Sequence, residues 1–149
     1  MTPTDDCTLH PQDLDTQLKM IYDGMIAAQS HLERLCQTMA RLQQEGMYDA
    51  VPTESWQDRG GAGQYLYHYF PIARQGPGYL GPDGKKKHYV GSDPARIAEA
   101  RRLADNRRRY EDLATAADRL EQWLFWRRSD LANLTAHALS WPRFDFRTL

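Results

Sequence analysis

Cysteine is scarce: Cys7 and Cys36 are the only two in 149 residues, far apart and without a C-x-x-C pattern. Two thiols and five scattered histidines never reach metal-ligand spacing, so no metal is expected. Reduced thiols in a cytoplasmic protein are the expected state. No apolar run approaches the roughly 18 to 20 residues that span a bilayer, so no membrane contact is expected either. The stretch from Met1 to His10 is acidic and polar, unlike a signal or transit peptide. No Ser/His/Asp, Cys/His or paired-carboxylate spacing argues for catalysis. The run Gly60-Gly61-Ala62-Gly63 lacks the Lys-Ser/Thr of a phosphate-binding loop, and no strand is read before it. The expectation is a non-enzymatic protein without cofactor.

An excess of one charge is also missing, since the formal net charge is −1. The distribution is uneven, however. Residues 1–58 carry 10 acids and 3 bases, residues 59–109 carry 11 bases and 4 acids, and residues 110–149 carry 6 acids and 5 bases. A basic middle on a near-neutral chain has two readings: a local anion-binding surface, or one side of a self-complementary protein whose acidic first helix is the mate. Hydrophobic residues make up 41% of the chain and the mean hydropathy is −0.74. That is polar for a globular domain, yet too rich in Leu, Tyr and Trp for disorder. Long helices with one face in water have this profile.

Leu14, Leu18, Ile21, Met25, Ala28, Leu32, Leu35, Met39 and Leu42 alternate in steps of four and three. This is an uninterrupted heptad seam, and it predicts a first helix over about 11–46, roughly 54 Å long, with Gly46 as its C-terminal stop. Asp93 and Pro94 read as the N-cap and first residue of a second helix over about 93–140, stopped by Pro142. Its seam holds Leu103, Tyr110, Ala117, Leu124, Leu131 and Ala138 at one position. The other position holds Asn106, Leu113, Leu120, Arg127 and Leu134, and Asn106 and Arg127 are register-setting polar interruptions. The two helices are expected to form an antiparallel coiled-coil hairpin with Leu42 near Asn106.

The segment 47–91 between them is too long for a tight helix–helix loop. Gln64-Tyr65-Leu66-Tyr67-His68-Tyr69-Phe70 reads as a strand, and Tyr79-Leu80 as a short one. Gly81-Pro82-Asp83-Gly84 reads as a turn, and Lys85 to Val90 as the returning strand. The expected whole is mainly α with a small β insertion: a two- or three-stranded antiparallel sheet over about 64–91, at one end of the coiled coil. One domain is expected, with a flexible arm at 1–10 and a tail at 142–149.

Several residues have competing readings. Lys85, Lys86, Lys87 and His88 form either a basic ribbon contacting phosphates or a charged edge that prevents sheet-to-sheet aggregation. Tyr65, Tyr67 and Tyr69 share one face, which either stacks on bases or a partner's arginines or is the sheet's own packing face. Leu66, His68 and Phe70 share the other. Arg101 and Arg108, one heptad apart, either extend the basic track or pair with acids at helical spacing. Trp123, Leu124, Phe125 and Trp126 point in all directions on a helix. They are covered by the tail or by self-association, or they bind a partner.

The stretch Gly63 to Tyr69, then Gly81-Pro82-Asp83-Gly84-Lys85-Lys86-Lys87-His88-Tyr89-Val90-Gly91, then a helix, resembles the arm-type DNA-binding domains of phage integrases. It also resembles small coiled-coil proteins with a tyrosine-rich hairpin. The resemblance covers about 63–105 and implies a sheet with Lys85, Lys86, Lys87 and His88 on or near a DNA-facing side. It also implies an accessory protein of bacteria or mobile elements; no recombinase catalytic domain follows. Two functions are therefore expected. The first is nucleic-acid binding, DNA or RNA, through Arg74, Lys85, Lys86, Lys87, His88, Arg101 and Arg108, with the coiled coil as spacer or oligomerisation arm. The alternative is a protein–protein adaptor or inhibitor engaging a partner through Tyr65, Tyr67, Tyr69, Trp123 and Trp126.

Overall fold

The computed structural model describes the backbone of residues 11–140 and the side chains of 15–134 and 136. The expected arm at 1–10, the expected tail at 142–149, and the seam positions Leu14 and Ala138 lie outside the described residues and side chains. The elements run α1 (Pro11–Glu45), β1 (Thr53–Asp58), β2 (Gln64–Tyr69), a 3-10 turn (Pro82–Gly84), β3 (Lys87–Gly91) and α2 (Pro94–Ser140). The protein is mainly helical, with 35 residues in α1 and 47 in α2, beside a three-stranded antiparallel sheet. Among the described residues, no helix is long and apolar enough to cross a membrane.

The heptad seam organises both helices. From Leu18 to Leu42 every seam residue of α1 is buried or half-buried, and so is every one of α2 from Leu103 to Leu131, whereas the next expected seam residue, Leu134, is 42% exposed. Gly46 ends α1 in the left-handed region at φ +90°, where a side chain would be strained. The end of a helix leaves carbonyls without partners, and here α2 supplies them. Arg102 donates to the Glu45 carbonyl at 3.0 Å, and the buried Asn106 amide donates to the Gly46 carbonyl at 2.9 Å. The polar interruption at Asn106 thus fixes which turn of α2 meets the end of α1. Gln43 meeting Tyr110 and Gly46 meeting Leu103 show that the two helices run antiparallel there. At the start of α2, the Asp93 carboxylate accepts from the Arg96 backbone N–H at 3.3 Å, the N-cap geometry expected of it.

The sheet has the order β1-β2-β3, so β2 lies in the centre. Three details depart from the sequence reading. The third strand is β1, and it immediately precedes the glycine run; Tyr79 instead forms an isolated bridge with Ile72. Thr53-Glu54-Ser55-Trp56-Gln57-Asp58 has no run of apolar residues. It is an edge strand held by its ladder to β2, in register from Thr53 opposite Tyr69 to Asp58 opposite Gln64. The glycine run is therefore the hairpin turn between two strands. A strand does stand before it, and what still separates it from a phosphate-binding loop is the missing Lys-Ser/Thr and the strand, not helix, that follows. Finally, Pro82–Gly84 closes a 3-10 turn, so β3 starts only at Lys87, after Lys85 and Lys86. Gly81 is required beside this turn, because a Cβ there would collide with the Lys85 carbonyl and the Phe70 ring.

The chain packs as two compact units, Leu35–Ala116 and the remainder, of which 11–34 and 117–140 are described. In Leu35–Ala116, one core cluster joins Tyr48, Phe70 and Ala104 with Leu103, and a second joins Leu66, Val90 and Ala100 with Ile97. Ala100 and Ala104 are one helical turn apart, and their small side chains let the sheet approach the α2 backbone. Burying a side chain the size of Leu66 or Phe70 stabilises the fold by about 1.5–3 kcal/mol. In the other unit, Ala117 and Leu124 are buried, and the Trp123 ring lies 3.7 Å from where a Gly24 Cβ would stand.

Candidate nucleic-acid interface

Alternation along β2 gives the sheet two faces, and the helix decides between them. Leu66, His68 and Phe70 point toward α2 and form the core, with exposures of 0%, 0% and 3%. Tyr65, Tyr67 and Tyr69 therefore lie on the face that α2 does not cover. The register adds Gln57, Ser55 and Thr53 from β1, and Lys87 and Tyr89 from β3, to the tyrosine face. Glu54 and Asp58, the two acids of β1, pair with His68 and Gln64 and so project on the opposite side. No strand residue of the tyrosine face is acidic.

Two cations close over this face. The Lys87 ammonium sits 3.9 Å from the Tyr67 ring centroid and 5.6 Å from that of Tyr69. The Arg59 guanidinium carbon stands 6.0 Å from the centroids of Tyr65, Tyr67 and Tyr89, and the same side chain donates to the Tyr67 hydroxyl at 2.7 Å. Gln57 bridges the remainder, donating to the Tyr69 hydroxyl at 2.9 Å and accepting from Lys87 at 3.0 Å. Tyr67, at 3% exposure, is buried beneath its own neighbours, whereas Tyr89 is 41% exposed and Tyr65 and Tyr69 are half-buried. The geometry combines cation–π contacts with open aromatic rings.

The helix-facing side has its own polar group. His68 is fully buried, and neither ring nitrogen has a hydrogen-bond partner among the described residues; its Nε2 lies 3.6 Å from a Glu54 carboxylate oxygen. Burial pushes the imidazole below its ordinary pKa, and the Glu54 carboxylate opposes this only in part. Glu54 is held by two hydrogen bonds from Arg101, at 2.9 and 3.0 Å, which keep its carboxyl below the usual range. His88 faces His68 across the ladder, and burial, then the Arg96 charge, lowers its pKa.

The candidate residues therefore separate. Lys87 is on the tyrosine face, and Lys85 and Lys86 are exposed immediately before it; neither forms an ion pair among the described residues. His88 is not with the lysines: it sits half-buried on the helix-facing side, beside Tyr48 at 6.3 Å between ring centroids. Arg101 is likewise held on that side by Glu54. Arg108 pairs with Asp105 on its own helix at 2.8 Å. Arg74 is exposed in the loop between β2 and β3, by a hollow lined by Asp49, Arg107 and Glu111. In the other unit, Trp126 is 64% exposed, while Trp123, at 37%, carries Arg127 5.6 Å from its ring centroid.

The sequence reading did not single out Arg59, Gln57 or Tyr89 as members of this face. Tyr89 was legible as the residue two positions after Lys87; Arg59 and Gln57 become visible only once 53–58 is recognised as a strand. Among the described residues, no group of three or more His, Cys, Asp or Glu side chains is placed to hold a metal ion. No protein-family model, no curated protein and no solved structure matches this chain.

Proposed function

We propose that this protein is a non-enzymatic nucleic-acid-binding accessory protein, and that it binds through the tyrosine face of its sheet and the lysines at the start of β3. The observation that carries this reading is the segregation of charge. Lys87 and Arg59 lie over the tyrosines, Lys85 and Lys86 stand beside them, and both acids of β1 project to the other side. A surface of cations and aromatic rings suits a polyanion that also offers flat faces. The test is fluorescence-anisotropy binding of random DNA and RNA oligonucleotides at low and physiological salt. Wild type is run beside the Lys85→Ala/Lys86→Ala/Lys87→Ala variant. Binding that weakens steeply with salt, and weakens further in a variant with unchanged circular dichroism, supports the reading. No binding at low salt, or binding indifferent to the lysines, sinks it.

A second reading rests on a separate observation. Phe125 and Trp126, in ring contact at 5.5 Å, are 66% and 64% exposed. Side chains of that size left in water favour docking of a protein, either a partner or a second copy, through the 117–140 stretch. Under this reading, Phe125→Ala/Trp126→Ala abolishes association, seen by light scattering against concentration or by partner capture, and leaves monomer stability unchanged. A loss of several kcal/mol in stability would instead mark them as core.

A further inference from the structure

The tyrosine face has a chemical bias that nucleic-acid binding alone does not specify. Reading a duplex from a groove needs long donors and acceptors aimed at base edges. Among the strand residues of this face, the long polar side chains are Gln57 and Lys87; they bond to each other, Gln57 also bonds to the Tyr69 hydroxyl, and Lys87 lies over the Tyr67 ring. The face offers ring surfaces instead, which interact with the flat sides of bases, and those sides are hidden in a duplex.

The position of Arg59 sharpens this. Its guanidinium, itself a flat delocalised group, stands 6.0 Å from each of three ring centroids, those of Tyr65, Tyr67 and Tyr89. Tyr65 and Tyr89 are tilted by only 34° to each other across 6.0 Å. The three rings thus converge on one spot that a planar group already occupies. Arg59 closes β1 at the glycine turn, and nothing lies within 4 Å of the positions where side chains on Gly60, Gly61 or Gly63 would start. Arg59 itself is exposed, so its side chain has solvent to turn into.

We propose that the Tyr65–Tyr67–Tyr89 cluster is a stacking site for an unpaired base of single-stranded nucleic acid. The base takes the place of the Arg59 guanidinium, and Arg59 turns outward to join Lys85, Lys86 and Lys87 on the flanking phosphates. This rests on the nucleic-acid reading above and specifies its substrate class. Charge complementarity supports the occupant, because a strand laid on this face meets cations and no strand carboxylate. Tyr67, covered by Lys87, forms the floor; Tyr65 and Tyr89 are the rings that a base reaches.

The experiment is a competition at physiological salt using dT and U homopolymers of about 15 nucleotides, a duplex of equal length, and the full chain. The expected result is tighter binding of a single strand, of either sugar, than of the duplex. Tyr65→Ala/Tyr89→Ala should weaken it by about fivefold or more per ring, as loss of a stacked base does. Tyr65→Phe/Tyr89→Phe keeps the rings and should retain binding. Duplex bound as tightly as either single strand overturns the inference and leaves the broader reading standing. Failure of all the nucleic acids to bind overturns both. The wild-type ratio of single strand to duplex decides the matter even if the alanine variant does not fold.

Discussion

The two compact units use their apolar residues in opposite ways. Of the twelve buried hydrophobic residues among the described side chains, ten lie in Leu35–Ala116, and Ala117 and Leu124 lie in the other unit. Of the ten exposed large hydrophobics among the described side chains, seven lie in that other unit: Met20, Tyr22, Ile26, Trp123, Phe125, Trp126 and Leu134. Both units are crossed by the same two helices and carry the same heptad seam. The difference is the sheet. In Leu35–Ala116 it covers one flank of α2, so Ala100, Ala104 and Leu103 gain a third layer. A bare pair of helices buries little more than its seam, so large side chains beside the seam remain in water, and here the seam residue Leu134 is 42% exposed as well. Stability is therefore expected to concentrate in the sheet-bearing unit, and apolar surface available for docking in the other.

The largest expected effect sharpens this contrast. Phe70→Ala empties the cluster with Tyr48 and Ala104 and should cost about 3–5 kcal/mol in urea denaturation. Trp126→Ala, although it removes a larger side chain, should shift stability by no more than about 0.5 kcal/mol in dilute protein. Equal losses at the two positions would break the comparison and show that the Trp126 side chain is packed. Next in size is Asn106→Ala. It leaves the Gly46 carbonyl without its amide partner in a buried site and should cost about 1–3 kcal/mol, read in the same assay.

A smaller effect depends on pH. Burial holds His68 below its ordinary value of 6.5, so the unfolded chain takes up a proton at a pH where the folded one does not. The associated stability is fully present above about pH 6.5 and falls as pH drops toward the depressed folded value. The lowered pKa values of His88 and Glu54 act in the same direction, Glu54 at lower pH, below its ordinary value of 4.5. Melting temperatures between pH 7.5 and 5 should decline in wild type and decline less in His68→Leu. Parallel curves would contradict the assignment. A small effect is also expected of Glu54→Gln, which weakens a partly exposed pair with Arg101; about 0.2–1 kcal/mol at pH 7 is expected from thermal melts.

How far the sequence could be read follows from the same contrast. The first helix was legible because a 4-3 seam running from Leu14 to Leu42 has no other structural use; the second was legible from Asp93-Pro94 and its own seam, in which Asn106 was recognisable as a register device. The central strand was legible from its concentration of aromatic residues. Its outward face was not, since Tyr65/Tyr67/Tyr69 and Leu66/His68/Phe70 alternate equally well; which set is covered is set by packing on Ala100 and Ala104 of α2, a contact distant in sequence. Strand β1 was hidden because an edge strand held by backbone pairing needs no apolar pattern. Sequence order groups His88 with the lysines, although strand alternation already separates it from Lys85 and Lys87. A 3-10 turn takes up the chain before Lys85, and the ladder then sets His88 opposite His68, facing the helix.

The central claim is that nucleic acid meets the protein on the tyrosine face, and photo-crosslinking tests it most directly. A single-stranded oligonucleotide carrying a photoreactive base is irradiated with the protein, and the modified residues are located by peptide mass spectrometry. The account predicts adducts on Tyr65, Tyr89 and the Lys85–Lys87 stretch. Adducts confined to the α2 arginines or to Trp123–Trp126 would contradict it.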